Sequence, residues 1–337
     1  FLRYQIGNID YKLTPYTFYN HNADLLVSTF ATTKIKEDVL NYESFFGDNT
    51  WRRQGASVNF ALEFPKVLDE IEFNGFITRM NPTNLDNILE RLQGGGNVLF
   101  KRNKLFNIGV NHISIFDIKG TAANEDAYRN NVSSLTYDLW LNKPKYKLGV
   151  DGESGISSSY IVTAEENKLS DYFLHGRAYF ELKKKDLSFE IAYMDNGPDF
   201  RSYGAQSKRV DFNSQNNFYQ RYTNDQVVRG ISAYDLYNDP ALYSNQIVTS
   251  IMAYNPAVNN ALPYGIATFN RRGAYVGVNY ADSSKIIETD VRYYYLQEIR
   301  GQGTTALRNF GYLNGNVRFN LSNWTKWKKK ETMQIGL

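Results

Sequence analysis

The feature that most constrains this chain is a two-residue rhythm of apolar and polar side chains that recurs along almost its whole length. Between Ser57 and Phe64, the residues Val58, Phe60, Leu62 and Phe64 alternate with Ser57, Asn59, Ala61 and Glu63. From Lys145 to Glu153, Tyr146, Leu148 and Val150 alternate with Lys145, Lys147, Asp151 and Glu153, and from Tyr172 to Leu182 the apolar set opposes His175, Arg177 and Glu181. Leu187, Phe189, Ile191 and Tyr193 oppose Ser188 and Glu190; Ile287, Val291, Tyr293 and Tyr295 oppose Glu288, Asp290 and Arg292. Near the end, Leu307, Leu313, Val317 and Phe319 oppose Arg308, Asn314, Asn316 and Arg318. Period two places successive side chains on opposite faces of a strand, so these runs predict strands with one apolar and one wet face. Several runs reach 11 to 16 residues. Strands of soluble proteins cluster around five or six, whereas a tilted strand crossing a bilayer needs roughly 9 to 11.

Connections sharpen the expectation. Short ones fall at Pro65–Asp69, Arg102–Asn103, Asn142–Pro144, Lys183–Asp186 and Asp282–Ser284. Between them lie long ones at Glu37–Gly55, Asn81–Gly96, Lys119–Asn131, Ser154–Leu169 and Gly197–Gly273. Short and long alternate in order, as in an all-β, antiparallel up-and-down barrel with tight turns at one rim and long loops at the other. These rules predict a transmembrane β-barrel of about fourteen or more strands over 1–337. Phe1 enters a strand-like segment directly and Glu331–Leu337 stops partway through one, so the full barrel is expected to hold further strands.

Composition agrees and excludes several chemistries. Tyr (26) and Phe (21) dominate the aromatics and favour pleated surfaces. The absence of Cys excludes disulfides, thiolate metal sites and a cysteine nucleophile, and three scattered His leave little for imidazole catalysis. A net charge of +3 gives no reason to expect nucleic acid. No Gly-x-Ser-x-Gly elbow is present, so no catalytic residue, enzyme activity or cofactor is expected. The longest uncharged stretch, Pro240 to Asn270, holds three Pro and five Asn and is unsuited to a spanning helix.

With its alternating strands and Tyr/Asn-rich style, the chain resembles the outer-membrane β-barrels of Bacteroidota-type Gram-negative bacteria. Gly197-Pro198-Asp199-Phe200-Arg201-Ser202, Ala261-Leu262-Pro263-Tyr264-Gly265-Ile266-Ala267-Thr268 and Asn270-Arg271-Arg272 carry the same look. The resemblance implies the outer membrane as location, its lipid as partner, and a signal peptide removed before insertion. It implies no particular solute.

Candidate functional residues follow from the wet faces. Lys147, Asp151, Arg177, Glu181, Glu190, Glu288, Asp290, Arg292, Arg308 and Arg318 are expected to line a polar lumen, five basic against five acidic. Trp324 and Trp327, among Lys326 and Lys328–Lys330, suit a membrane-interface girdle. Gly197–Gly273 spans 77 residues, 12 of them Phe or Tyr, and is expected to be a folded lid or a docking surface for other envelope proteins. Pro82–Leu92 has the pattern of a short helix, with Gly94–Gly96 as a flexible return into the next strand.

The leading expectation is a porin-like channel for small polar solutes. The alternative is a scaffold barrel of an envelope complex for secretion, motility or nutrient capture. A soluble glycan-binding or glycan-cleaving sandwich ranks third, because it leaves the strand lengths and the connection rhythm unexplained.

Overall fold

The computed structural model describes residues 2–9, 11–19, 53–64, 68–81, 89–102, 105–118, 127–206, 261–282, 284–325 and 332–336. They form β1 (Leu2–Ile9), β2 (Arg53–Glu63), β3 (Glu70–Asn81), β4 (Glu90–Arg102), β5 (Phe106–Ile118), β6 (Tyr128–Asn142) and β7 (Tyr146–Ile161). These are followed by β8 (Leu169–Leu182), β9 (Leu187–Asn196), β10 (Pro263–Ile266), β11 (Arg271–Ala281), β12 (Ile287–Gln297), β13 (Asn309–Asn320) and β14 (Thr332–Gly336). All but β10 belong to one sheet of thirteen strands, each hydrogen-bonded to its neighbour in chain order. All twelve ladders are antiparallel. The expected up-and-down all-β arrangement is therefore present. Among the described residues no ladder joins β14 back to β1, so the sheet is open.

Register assigns the two faces. Pairs such as Phe76 with Ser57, Asn111 with Ser134, Arg177 with Asp151 and Arg292 with Gly277 keep one side chain in two on a common polar face across the sheet. The other face exposes Leu2, Tyr4, Ile6, Val58, Leu62, Val110, Leu135, Leu139, Leu148, Val150, Phe189, Ile191, Val276, Val278, Leu313, Met333 and Ile335. Ile6 is 80% exposed and Ile191 58%. Most large aliphatic side chains stand on the exposed face, and the packed core, with Ile113, Ile115, Val132 and Leu296, lies on the polar face. Tyr172, Tyr193 and Tyr295 are exposed where the apolar face meets the long connections, and Phe64 and Tyr280 are exposed near the short ones.

Several boundaries differ from expectation: Arg53–Gly55 belong to β2 and Tyr128–Asn131 to β6 rather than to the long loops expected there. Gly94–Gly96 lie within β4 rather than in a flexible return, and Glu90–Leu92 begin that strand rather than ending a helix; the rest of the expected helix, 82–88, lies outside the described residues. A Cβ on Gly95 would run into the His112 carbonyl oxygen, and one on Gly96 into that of Asn74. These glycines allow β3, β4 and β5 to come together closely, which is the positional use of glycine inside a strand. Ser154–Ile161 also belong to β7 and not to a loop. Gly155 accommodates the Phe173 ring from β8, and Ser157 receives the backbone N–H of Arg201, so small residues there serve packing.

Replacing Gly96 by Val is expected to destabilise the fold by about 1–3 kcal/mol, the usual range for overpacking. The check is a lower denaturation temperature of the compact form on a semi-native gel.

Candidate functional site

The polar face has two halves with different chemistry. Toward the long connections it is covered by an inner cap made of residues 11–19, the segment after β9 including the one-turn helix α1 (Tyr203–Gln206), and residues 261–270. Tyr16 stacks on Phe173 with ring centroids 4.3 Å apart, Phe200 packs on the same ring at 4.9 Å, and Tyr11 stacks on Phe76 at 4.4 Å. Tyr16, Phe173 and Phe200 are fully buried with Ile113 and Val132 from the sheet. Each such aromatic contributes roughly 1.5–3 kcal/mol by leaving water.

Hydrogen bonds knit the cap into one body. Ser202 Oγ donates to the Tyr16 carbonyl at 2.7 Å, and Gln206 Nε2 donates to that of Ala267 at 2.9 Å. Asn196 Nδ2 donates to the carbonyls of Ile266 and Thr268 at 2.6 and 2.8 Å, and Asn130 Nδ2 to that of Arg201 at 2.9 Å. A further tie to the sheet is Glu153 of β7, which is almost wholly buried. Its Oε1 accepts from Thr14 Oγ1 of the cap at 2.6 Å and from Ser134 Oγ of β6 at 2.5 Å.

Toward the short connections the polar face carries a belt of charge. Arg177 grips Asp151 through Nε and Nη2, at 3.1 and 2.8 Å, and reaches Glu190 Oε2 through Nη1 at 2.9 Å. Glu190 Oε1 lies 2.6 Å from Arg292 Nε on β12, two strands away in the sheet. The intervening residue of β11 is Gly277, whose added Cβ would meet Glu190 Oε1 at 2.5 Å. Glycine there lets the carboxylate lie across a strand and join β8 to β12. Lys147 stands over the rings of Trp140 and Tyr179, 5.9 and 5.1 Å away. Arg318 pairs with Glu288 at 3.1 Å, and Lys101 pairs with Glu70 and Glu72. An aromatic ladder of Tyr275, Tyr294 and Tyr312 runs across β11, β12 and β13 at centroid spacings of 4.8 and 4.4 Å.

Of the ten candidate lining residues, Lys147, Asp151, Arg177, Glu181, Glu190, Glu288, Asp290, Arg292 and Arg318 share the polar face by register. Arg308 does not. It precedes β13 in the connection at the long-connection end, where its Nε donates to Glu298 Oε1 at 2.9 Å. The connection folds back there because Glu298 also accepts the Arg308 backbone N–H, at 3.1 Å. Trp324 is 69% exposed in the short helix α2 (Leu321–Thr325) between β13 and β14. Trp327 and residues 207–260 of the expected lid lie outside the described residues. The sequence reading missed Thr14, Tyr16 and Glu153 as a set. Alternation marks Glu153 as wet-faced, but nothing local to the chain marks its partner.

Among the described residues no three His, Asp or Glu side chains converge as metal ligands, and no helix is long and apolar enough to cross a membrane. The second fact has no bearing on a chain that would cross with strands. No family model matches the chain, and no curated protein matches it.

Two predictions follow from this geometry. Thr14→Val removes one of two hydroxyls donating to the same buried oxygen, and a cost of about 1–3 kcal/mol is expected. Combining it with Ser134→Ala should give a non-additive loss in thermal denaturation, because the two donors share Oε1. At the long-connection end, hydrogen bonds from Arg300 hold the Asp199 carboxyl below its usual range, and those from Arg308 do the same for Glu298. Both groups lose protons more readily folded than unfolded, so their contribution is present above the unfolded carboxylate range of about 4 and is lost as pH falls through the lower folded values. Carboxyl-carbon NMR titration should show both still ionised at a pH where exposed carboxylates are protonated.

Proposed function

We propose that the sheet belongs to a transmembrane β-barrel in the outer membrane of a Gram-negative bacterium, acting as a porin-like channel for small polar solutes. The observation that carries this reading is the continuous exposed apolar face: from Leu2 on β1 to Ile335 on β14, large aliphatic and aromatic side chains stand in the open on the face opposite the charges. Monomers in water do not leave so large an apolar surface bare. Lipid on that side satisfies it, and the tyrosines at its upper margin and Phe64, Tyr280 and Trp324 near the short connections suit the two membrane boundaries. The polar face then borders the lumen, with the charged belt as its lining and the inner cap narrowing the long-loop side.

The same cap favours a second reading, a scaffold barrel whose lumen stays filled, with the 197–273 segment docking another envelope protein. Planar-bilayer recording separates the two. The channel reading expects discrete conductance steps, and Tyr16→Ala with Phe200→Ala, which loosens the cap from Phe173, should enlarge them. A compact, inserted protein that stays silent in both forms would favour the scaffold.

A further inference from the structure

The apolar face carries charge at its margin with the long connections. Arg129 on β6 is exposed there, and register sets it beside Tyr160 of β7. Lys168, just ahead of β8, holds its ammonium 5.4 Å over the same Tyr160 ring. Arg272 on β11 is half exposed and pairs with Asp195 of β9 at 2.9 Å, while Tyr172 Oη donates to that carboxylate at 3.3 Å. Ala274 separates Tyr193 from Tyr295 in the next row of the same face. Three cations and four tyrosines thus edge the apolar surface of Ile156, Leu174, Ile191 and Val276, against one carboxylate on the strands. Glu165 and Glu166 sit in the turn beyond the strand ends. Among the described residues the Arg129 side chain has no ion pair.

We infer that this strip binds the phosphate group of anionic lipid, an assignment that rests on the membrane reading above. A guanidinium facing hydrocarbon is costly at mid-depth but is tolerated at the interface, where lipid phosphates lie. Arginine suits a phosphate by its planar fork, and tyrosine suits the boundary by its apolar ring and wet hydroxyl. The Arg272–Asp195 pair fixes one cation in place, and the Tyr160 ring positions another beside Arg129. The strands hold Arg129 and Arg272 in place, which a mobile loop would not.

The test reconstitutes the chain into vesicles of phosphatidylcholine alone and of phosphatidylcholine mixed with phosphatidylglycerol. Heat resistance is read as the temperature at which the compact gel band is lost. The anionic lipid is expected to shift that temperature upward. Arg129→Gln with Lys168→Gln should abolish the shift while leaving the phosphatidylcholine value unchanged, and Arg129→Lys with Lys168→Arg should retain it. Inorganic phosphate added to phosphatidylcholine vesicles should produce no shift; a full shift with it would assign the strip to a free anion and overturn the lipid site. Equal heat resistance in both lipids, or an undiminished shift in the glutamine pair, would also overturn it. A chain that never gives a compact, vesicle-bound form overturns the membrane reading beneath it.

Discussion

Everything in this structure depends on the alternation of faces that a paired strand imposes. Each strand from β2 to β13 except β10 has a neighbour on both sides, so its backbone groups are satisfied within the sheet and its side chains have only two directions to take. With one direction given over to exposed aliphatic residues, every charge on the strands must gather on the other or stand at the margins. The charged belt is a consequence of that crowding. Opposite charges placed directly across from one another, as Asp151 and Arg177 are, neutralise locally, while a glycine in a facing strand lets a longer reach link more distant ones. Glu190 over Gly277 is one case, and Tyr179 lying against Gly149 to approach Asp138 is another. Glycine in these strands is a slot for a neighbour's side chain.

The inner cap answers a different need. The half of the polar face near the long connections bears Phe76, Ile113, Val132 and Phe173, which alternation alone would have left wet. Tyr16, Phe18 and Phe200 cover them, so the protein's packed core sits between its sheet and its own connecting segments. Buried polar ties, Thr14 to Glu153 and Asn196 to the 266–268 backbone, fix the cap's orientation where apolar contact alone would allow sliding.

Much of this was legible in the sequence, and the parts that were not have physical reasons. The faces were readable because period two depends only on the strand itself, and nine of the ten wet-face charges lie where that period puts them. Arg308 was misplaced because Leu307 and Arg308 continue the alternation of β13 by chance, whereas their backbone is committed to the turn that Glu298 closes. Ser154–Ile161 read as a loop because serine and glycine are turn formers, yet Gly155 and Ser157 lie against a close-packed cap and must be small. Gly94–Gly96 misled as turn formers too, but here they let β3, β4 and β5 approach closely. The cap was the least legible element: Tyr16 meets Phe173 across more than 150 residues of chain, and no local pattern announces such a pairing.

Among the described residues the edges β1 and β14 have no further partner, and this has a directional consequence. β1 leads into a long connection, and β14 leaves a short one, so both strands run the same way across the sheet. Joining them directly would create the sheet's one parallel ladder, with slanted hydrogen bonds, between partners of eight and five residues. A seam that keeps the antiparallel rule needs an odd number of intervening strands, the simplest case being one that descends from the long-connection end to the short one. For the same reason, two copies of this sheet set side by side in the same orientation present edges that run alike, and cannot zip together antiparallel at β1 and β14.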